Sequence, residues 1–349
     1  MKVLLAYEPG VLRVVDMPKP EVGPRQVLAK VRYSGVCATD ISIMKGTLTL
    51  GDGLEPVYPV RLGHEWSGTV VAVGSETSRI KVGDNVISDT QYSCGECEYC
   101  LKGEYGSCVN GRAIGTIGDC WPGSFAEYML VMERTTFKVP ANVPLDQAAL
   151  IEPAAIGLYG LTRAPLGPGN NLLVIGTGPI GLGGMACAKG MGMGRTILAG
   201  RKDAKLAIGK QLGADVLVNT THESLYDVVM RETNGRGMDV VLDTTGDAAI
   251  FNDVLLLLRA SGHLVIPGFY EQDLANVKLD RIIARNCTLV GAAGTPQMGP
   301  LILDMLSNGH IDLGPMITDR FPFSRVSDAF AAVTARNDSR VKVMVEFEP

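Results

Sequence analysis

The sequence predicts an α/β chain in which a mostly β domain precedes a doubly wound parallel sheet and the C-terminal tail returns to the first domain. Three observations carry this expectation. The chain has 349 residues, more than one hydrophobic core usually supports. Residues 1–150 are rich in Val, Gly and Pro, and their short alternating runs read as strands. From about residue 151, apolar runs alternate with helical stretches at the spacing of strand–helix–strand units.

In the first part, VLAKVRYSGV (27–36) and GTVVAVGS (68–75) are strand candidates, and the Gly83-Asp84 pair marks a turn. ALIEPAAIGLYGLTRA (149–164) reads as a helix leading to Gly167-Pro168-Gly169. The runs LLVIG, TILAG, DVLVN, DVVLDTT and GHLVIPG then read as buried strands, with IGLGGMACAKGMG and DAKLAIGKQLG as helices among them. After about residue 290 the pattern turns irregular, and VKVMVEF (341–347) reads as a closing strand. These signals predict a first domain of residues 1–153 and 291–349 and a second of residues 154–290.

With 46% apolar and 20% charged residues, the chain can bury a sizeable core. Its formal charge of −5 is spread rather than blocked, which gives no basic footprint for nucleic acid and no polybasic membrane patch. No segment approaches the roughly 20 apolar residues of a membrane span. The first apolar run is too short for a signal peptide. The expected location is therefore cytoplasmic and the expected ligand a small molecule. Clustered thiols in such a compartment point to metal rather than disulfides.

LLVIGTGPIGLGG sets Gly176, Gly178 and Gly181 directly after a predicted strand, with Pro179 and Ile180 opening a helix. Glycines there permit a tight turn and close backbone approach, and the helix N-terminus offers free N–H groups to a pyrophosphate. About 20 residues on, an NAD site usually carries an acid for the ribose 2′-OH. Here ILAGRKDAK supplies Gly200 followed by Arg201 and Lys202, with Asp203 already in the next helix. A missing carboxylate and an added guanidinium suit a ribose 2′-phosphate, so NADP is favoured over NAD. The alternative has Arg201 as a solvated surface arginine, with NAD against Gly200. If the first reading holds, Gly200→Asp should move preference toward NAD.

Cys94, Cys97, Cys100 and Cys108 supply four soft ligands in one short run, the pattern of a closed, structural, tetrahedral zinc. A redox-active pair is the alternative. A second set is dispersed: Cys37, Thr39 and Asp40 in GVCATD, His64 and Glu65 in RLGHEWSG, and Glu152 in ALIEPAAIG. Each alone is unremarked, since a lone cysteine is usually a small buried hydrophobe. Cys120, Cys187 and Cys287 lack metal-like spacing and read as ordinary buried thiols, and His222, His263 and His310 read as structural or surface residues. Trp121, in GDCWPGSF, could line a substrate site or pack in the core.

Taken jointly, the order of these motifs, with GHEWSGTVVAVGS, KVGDNV, GSFAEYMLV and the cysteine run, resembles the zinc-containing medium-chain alcohol and polyol dehydrogenases. The similarity is to the sorbitol- and threonine-dehydrogenase-like branch and spans essentially the whole chain. It implies a GroES-like catalytic domain interrupted by a Rossmann domain, with two zincs per chain. By the same resemblance, Cys37, His64 and Glu65 are ligands of a catalytic zinc, Glu152 is a further ligand or exchanges with Glu65, Asp40 orients the ligand histidine, and Thr39 relays the substrate proton. The expected reaction moves hydride between a secondary alcohol of a polyol, sugar or cyclitol and a nicotinamide cofactor. Its alternatives are an amino-alcohol dehydrogenase and a non-catalytic NADPH-sensing protein. Relatives are commonly homodimers or homotetramers. One departure is Ser42, where the family often has a histidine that passes the proton to solvent; another is the Gly200-Arg201 pair.

Overall fold

The structure is a computed structural model that describes residues 1–48, 55–118, 120–165, 167–270 and 273–348. The chain forms two compact units, Met1–Glu152 with Gly294–Ser307 and Ile317–Pro349, and Pro153–Ala293 with Asn308–Met316. No helix among the described residues is long and apolar enough to cross a membrane.

The first unit is built on the strand Gln26–Val36, eleven residues long, whose buried positions include Val27, Leu28, Ala29, Val31 and Val36. It pairs antiparallel with Glu65–Val73 on one side and with Lys342–Glu346 on the other. Tyr128–Met132 also pairs with its first half. Asn85–Ser88 and Thr136–Lys138 extend the sheet beyond Glu65–Val73, and Ile317–Pro322 extends it beyond Lys342–Glu346. A smaller sheet orders Val11–Asp16, Lys2–Glu8 and Val60–Arg61. The core fills from these strands, with Leu4, Leu62, Met129 and Val345 fully buried and Phe125 edge-on to Phe330 at 5.3 Å between ring centroids.

The second unit is a six-stranded, all-parallel sheet. In chain order its strands are Leu172–Ile175, Thr196–Gly200, Val216–Asn219, Met238–Asp243, Leu258–Ile266 and Thr288–Gly291; in space they run 3-2-1-4-5-6. The central strand Leu172–Ile175 is buried at all four positions, as a parallel sheet covered on both faces requires. Gly183 lets the helix Pro179–Gly190 approach the helix Ile151–Thr162 closely: a Cβ at Gly183 would lie 2.6 Å from the Ala154 Cα.

Three local features differ from the expected elements. The stretch 149–164 is not one helix, because a first helix ends at Ala149 and a second, Ile151–Thr162, begins after Leu150 with Pro153 in its first turn. The sixth parallel strand Thr288–Gly291 is not among the expected strands, and as an edge strand it buries only Val290. Ile317–Pro322 alternates half-buried and exposed residues and ends in a proline, which hides its apolar pattern.

Where the chain re-enters the first unit, Thr295 Oγ1 lies 3.0 Å from Thr90 Oγ1, and Gln297 donates to Asp89 from its backbone at 3.3 Å and from Nε2 at 3.4 Å. Asp89 is 7% exposed, and burial pushes its carboxyl up to about 7. The folded state therefore holds a proton that the unfolded chain, with an ordinary carboxyl, has released. Stability falls as pH rises from about 4 to about 7, where the folded state binds more protons than the unfolded one. Asp89→Asn should remove this slope, so urea unfolding at pH 5 and pH 8 should show the variant gaining on the wild type at the higher pH. An equal gap at both pH values would contradict the burial of an uncompensated charge.

Candidate metal centre and dinucleotide site

Three adjacent strands assemble the first candidate centre. Gln26–Val36 delivers Cys37 immediately after its last residue, at the N-cap of the helix Ala38–Lys45. Glu65 opens the neighbouring strand opposite Gly35, and His64 precedes it. The donor atoms of Cys37, His64 and Glu65 all lie within 4.8 Å of one another. Gly35 is required by this packing, because a Cβ there would lie 2.2 Å from Glu65 Oε2.

Asp40 holds the frame of this group. Its carboxylate is fully buried and accepts from the backbone N–H of Cys37 at 2.9 Å and of Gly63 at 3.2 Å. Its Oδ1 also faces His64 Nδ1 at 3.8 Å. Burial pushes Asp40 up to about 6, against the opposing pull of His64. On His64 itself burial works to lower the pKa, and the negative charges of Cys37 and Asp40 override it, holding the imidazole well above its ordinary value.

Glu152 stands outside the set of mutually close donor atoms. It occupies the first turn of Ile151–Thr162, half-buried, with its carboxyl raised to about 7 by burial. The charges of Glu65 and Asp40 raise it further, while His64 and Lys342 oppose. It thus joins the electrostatics of the centre without joining its close donor group. Thr39 lies half-buried in the first turn of Ala38–Lys45, and Ser42 is half-buried one turn on.

Lys342 is the member that sequence reasoning missed. It enters from the C-terminal strand, 2% exposed, and its Nζ donates to Glu65 Oε1 at 2.6 Å and to the Val36 carbonyl at 3.2 Å. Burial alone would lower the ammonium pKa, but Glu65 and Cys37 raise it. Even with this partner, Glu65 Oε2 and His64 Nδ1 remain buried without a hydrogen bond. Buried polar atoms left so are costly. A cysteine sulfur, an imidazole and a carboxylate converging here, with Glu65 Oε2 unpartnered, form a donor set that fits zinc.

The second cluster is closed. Cys94, Cys97, Cys100 and Cys108 have sulfur atoms within 4.8 Å of one another, with separations of 3.5 Å for Cys94–Cys108, 3.9 Å for Cys97–Cys108 and 4.0 Å for Cys94–Cys100. Four sulfurs about 2.3 Å from a tetrahedral zinc would stand about 3.8 Å apart, whereas a disulfide needs about 2 Å. None of the eight cysteines forms a disulfide. Backbone N–H groups of Glu96 and Cys97 lower the Cys94 thiol to about 6, and those of Cys100 and Val109 lower Cys97. The backbone therefore favours thiolates at Cys94 and Cys97, while burial pushes the Cys100 thiol up to about 12. Neither candidate group includes His222, His263 or His310. Cys187 is buried, and Cys120 and Cys287 are half-buried. Trp121 stacks on Tyr92 at 5.3 Å and donates from Nε1 to the Leu130 carbonyl at 2.6 Å.

In the second unit, the glycine-rich turn lies between Leu172–Ile175 and the helix Pro179–Gly190, whose N-cap is Gly178 and whose first residue is Pro179. Gly176 has φ +110°, and a Cβ there would lie 2.4 Å from Thr244 Oγ1. A Cβ on Gly181 would lie 2.1 Å from the Gly176 carbonyl oxygen. Thr244, which donates to the Ile175 carbonyl at 2.9 Å, underpins the turn and had no sequence signal. Ile180 is half-buried in the first helical turn. Gly200 ends the second strand, Arg201 is exposed, and Lys202 is the N-cap of the helix Asp203–Gln211. Asp203 is turned to Asn219, whose Nδ2 donates to it at 2.6 Å. The expectation for Gly200→Asp needs amendment, because a Cβ at 200 would lie 2.6 Å from Thr177 Cγ2.

Two outcomes test the first centre. Cys37→Ser should abolish turnover and leave circular dichroism unchanged; retained activity would remove Cys37 from the chemistry. Lys342→Met leaves Glu65 buried without its cation and should cost about 3–5 kcal/mol in urea unfolding. Lys342→Arg should recover most of that loss, and a methionine variant as stable as the wild type would refute the pairing.

Comparison with known proteins agrees with this geometry. Residues 23–141 match the alcohol dehydrogenase GroES-like domain family and residues 179–308 the zinc-binding dehydrogenase family. The chain is 35% identical to D-arabitol-phosphate dehydrogenase of Enterococcus avium, over 100% of this chain and 98% of that one. Among solved structures, a zinc-binding dehydrogenase from Sinorhizobium meliloti 1021 bound to NADP superposes with a TM-score of 0.88 at 29% identity, covering 99% of this chain and 98% of that one. An alcohol dehydrogenase from Escherichia coli CFT073 complexed with NADH gives 0.89 at 27% identity, covering 99% and 100%. With both family profiles matched and a relative this similar along its full length, the chain belongs to the zinc-binding, GroES-like alcohol dehydrogenase family.

Proposed function

We propose that the chain is a zinc-dependent oxidoreductase that moves hydride between a secondary alcohol of a polyol, sugar or cyclitol and a nicotinamide cofactor. The observation that carries this reading is the convergence of Cys37, His64 and Glu65 within 4.8 Å, with Glu65 Oε2 buried and unpartnered. Residues 1–153 and 291–349 act as the catalytic domain and residues 154–290 as the dinucleotide-binding domain. Cys37, His64 and Glu65 hold the catalytic zinc, and Cys94, Cys97, Cys100 and Cys108 hold a structural one.

When bound, zinc supplies Lewis-acid polarisation that brings the pKa of an alcohol toward neutrality. The chain's own residues do the rest. Asp40 keeps the Cys37 backbone and His64 in place through its hydrogen bonds and its contact with Nδ1. Lys342 fixes one oxygen of Glu65, leaving Oε2 free to act as a ligand. Glu152, outside the close donor group, shares ligand duty with Glu65 or exchanges with it. Thr39 receives the substrate's hydroxyl proton, and with Ser42 in place of a histidine the proton leaves through Ser42, water or the cofactor ribose.

The cofactor reading favours NADP over NAD, on the absence of an acid at Gly200 and the exposed Arg201 beside it. Similar proteins have been solved with each cofactor, so the preference rests on these two residues. A homodimer or homotetramer is supported by the edge strand Thr288–Gly291, which has one neighbour, and by Leu279, Ile283 and Leu289 exposed on or beside it. Eight cysteines outside any disulfide fit a cytoplasmic setting.

The deciding experiment is a steady-state panel of polyols, sugars, polyol phosphates and L-threonine, each with NAD⁺ and NADP⁺. Oxidation of a polyol or its phosphate is expected, with the higher kcat/KM for NADP⁺. Activity confined to L-threonine would replace the polyol reading with the amino-alcohol one, and cofactor binding without turnover of any alcohol would leave a non-catalytic protein.

A further inference from the structure

Gly200 ends the second parallel strand, where a site for an unphosphorylated ribose carries its acid. Space for a side chain there is already taken. A Cβ built on Gly200 would lie 2.6 Å from Cγ2 and 3.0 Å from Oγ1 of Thr177. Thr177 stands between Gly176 and Gly178, is 9% exposed, and has no side-chain hydrogen bond among the described residues. Its backbone is held on both sides, with Gly176 N–H donating to the Ala199 carbonyl at 3.0 Å and Leu182 N–H to the Gly178 carbonyl at 2.9 Å. A β-branched side chain has few rotamers with which to move aside. The Thr177 Oγ1 lies 3.0 Å from where a Gly200 Cβ would stand, beside the position a ribose-holding acid would occupy.

We propose that Thr177 is a specificity residue of the dinucleotide site: its hydroxyl takes the place of the ribose-holding carboxylate and donates to the 2′-phosphate of NADP, while its methyl group bars an acid from position 200. The proposal rests on the NADP reading given above. A neutral donor suits a phosphate that carries nearly two negative charges, which a carboxylate would repel. Arg201, exposed one residue beyond Gly200, supplies the positive charge. Absence of an acid is thus a property of two residues on two adjacent segments, and a single substitution at 200 does not convert the pocket.

Calorimetric titration of the zinc-loaded full chain with NADP⁺ and NAD⁺ tests this. Thr177→Val, which keeps shape and loses the hydroxyl, should raise the Kd for NADP⁺ about tenfold, the size of one charge-assisted hydrogen bond, and change that for NAD⁺ by less than about twofold. Thr177→Ser keeps the donor and should stay within about twofold of the wild type for both, which separates loss of the hydroxyl from loss of packing. Gly200→Asp alone should weaken both cofactors, and Thr177→Gly combined with Gly200→Asp should bind NAD⁺ more tightly than NADP⁺. An unchanged cofactor ratio in Thr177→Val, or a Gly200→Asp variant that binds NAD⁺ as well as the double variant does, would overturn the proposal. A wild type that binds NAD⁺ more tightly than NADP⁺ defeats the NADP reading and the donor role with it, whereas the steric part stands or falls on the single against the double variant.

Discussion

Asp40, Glu65 and Glu152 share buried surroundings with the Cys37 thiol, and so many acidic groups can be held there only if cations are placed among them. One is built into the chain. Lys342, 2% exposed, reaches Glu65 from a strand 277 residues away in sequence, and His64 is held toward its charged form by the same anions. The rest of the first unit follows from this requirement. Glu65, Cys37 and Lys342 meet because three consecutive antiparallel strands bring their ends to one place, and Gly35 leaves the room in which the Glu65 carboxylate lies. A divalent cation among these donors would complete the balance that Lys342 begins.

The two cysteine-bearing clusters divide the labour. The four-sulfur group uses all its donors on itself and draws backbone N–H groups toward its thiolates, so it can shape a lobe but leaves no position for a substrate. The three-residue group has one sulfur, one ring nitrogen and one carboxylate oxygen. Asp40 stabilises it from behind through backbone amides on two segments. On the proposed reading, reactivity belongs to the less conspicuous cluster, which offers three donors rather than four.

What could be read from the sequence was what is local in it. The cysteine run and the Gly176, Gly178 and Gly181 turn each lie within one short segment, so spacing alone identified them. Most of the parallel strands were legible because burial on both faces forces continuous apolar runs such as LLVIG. The edge strand Thr288–Gly291 buries one residue of four and carried no such signal. Lys342, Thr244 and Thr177 were missed for a common reason: each acts through a partner remote in sequence, Glu65, the Gly176 turn and Gly200 respectively. A lysine in a C-terminal strand reads as solvated until the strand's neighbours are known. Glu152 was legible as a member of the centre, but its distance from the close donor group required coordinates.

The central claim is that the chain carries two metal sites of different kinds, one closed by four thiolates and one built on Cys37, His64 and Glu65. Metal analysis by mass spectrometry of the purified wild type and of His64→Ala addresses it directly. The account predicts two zinc ions per wild-type chain and one in the variant, with the remaining ion lost only on unfolding. A wild type with a single zinc that His64→Ala retains would contradict it.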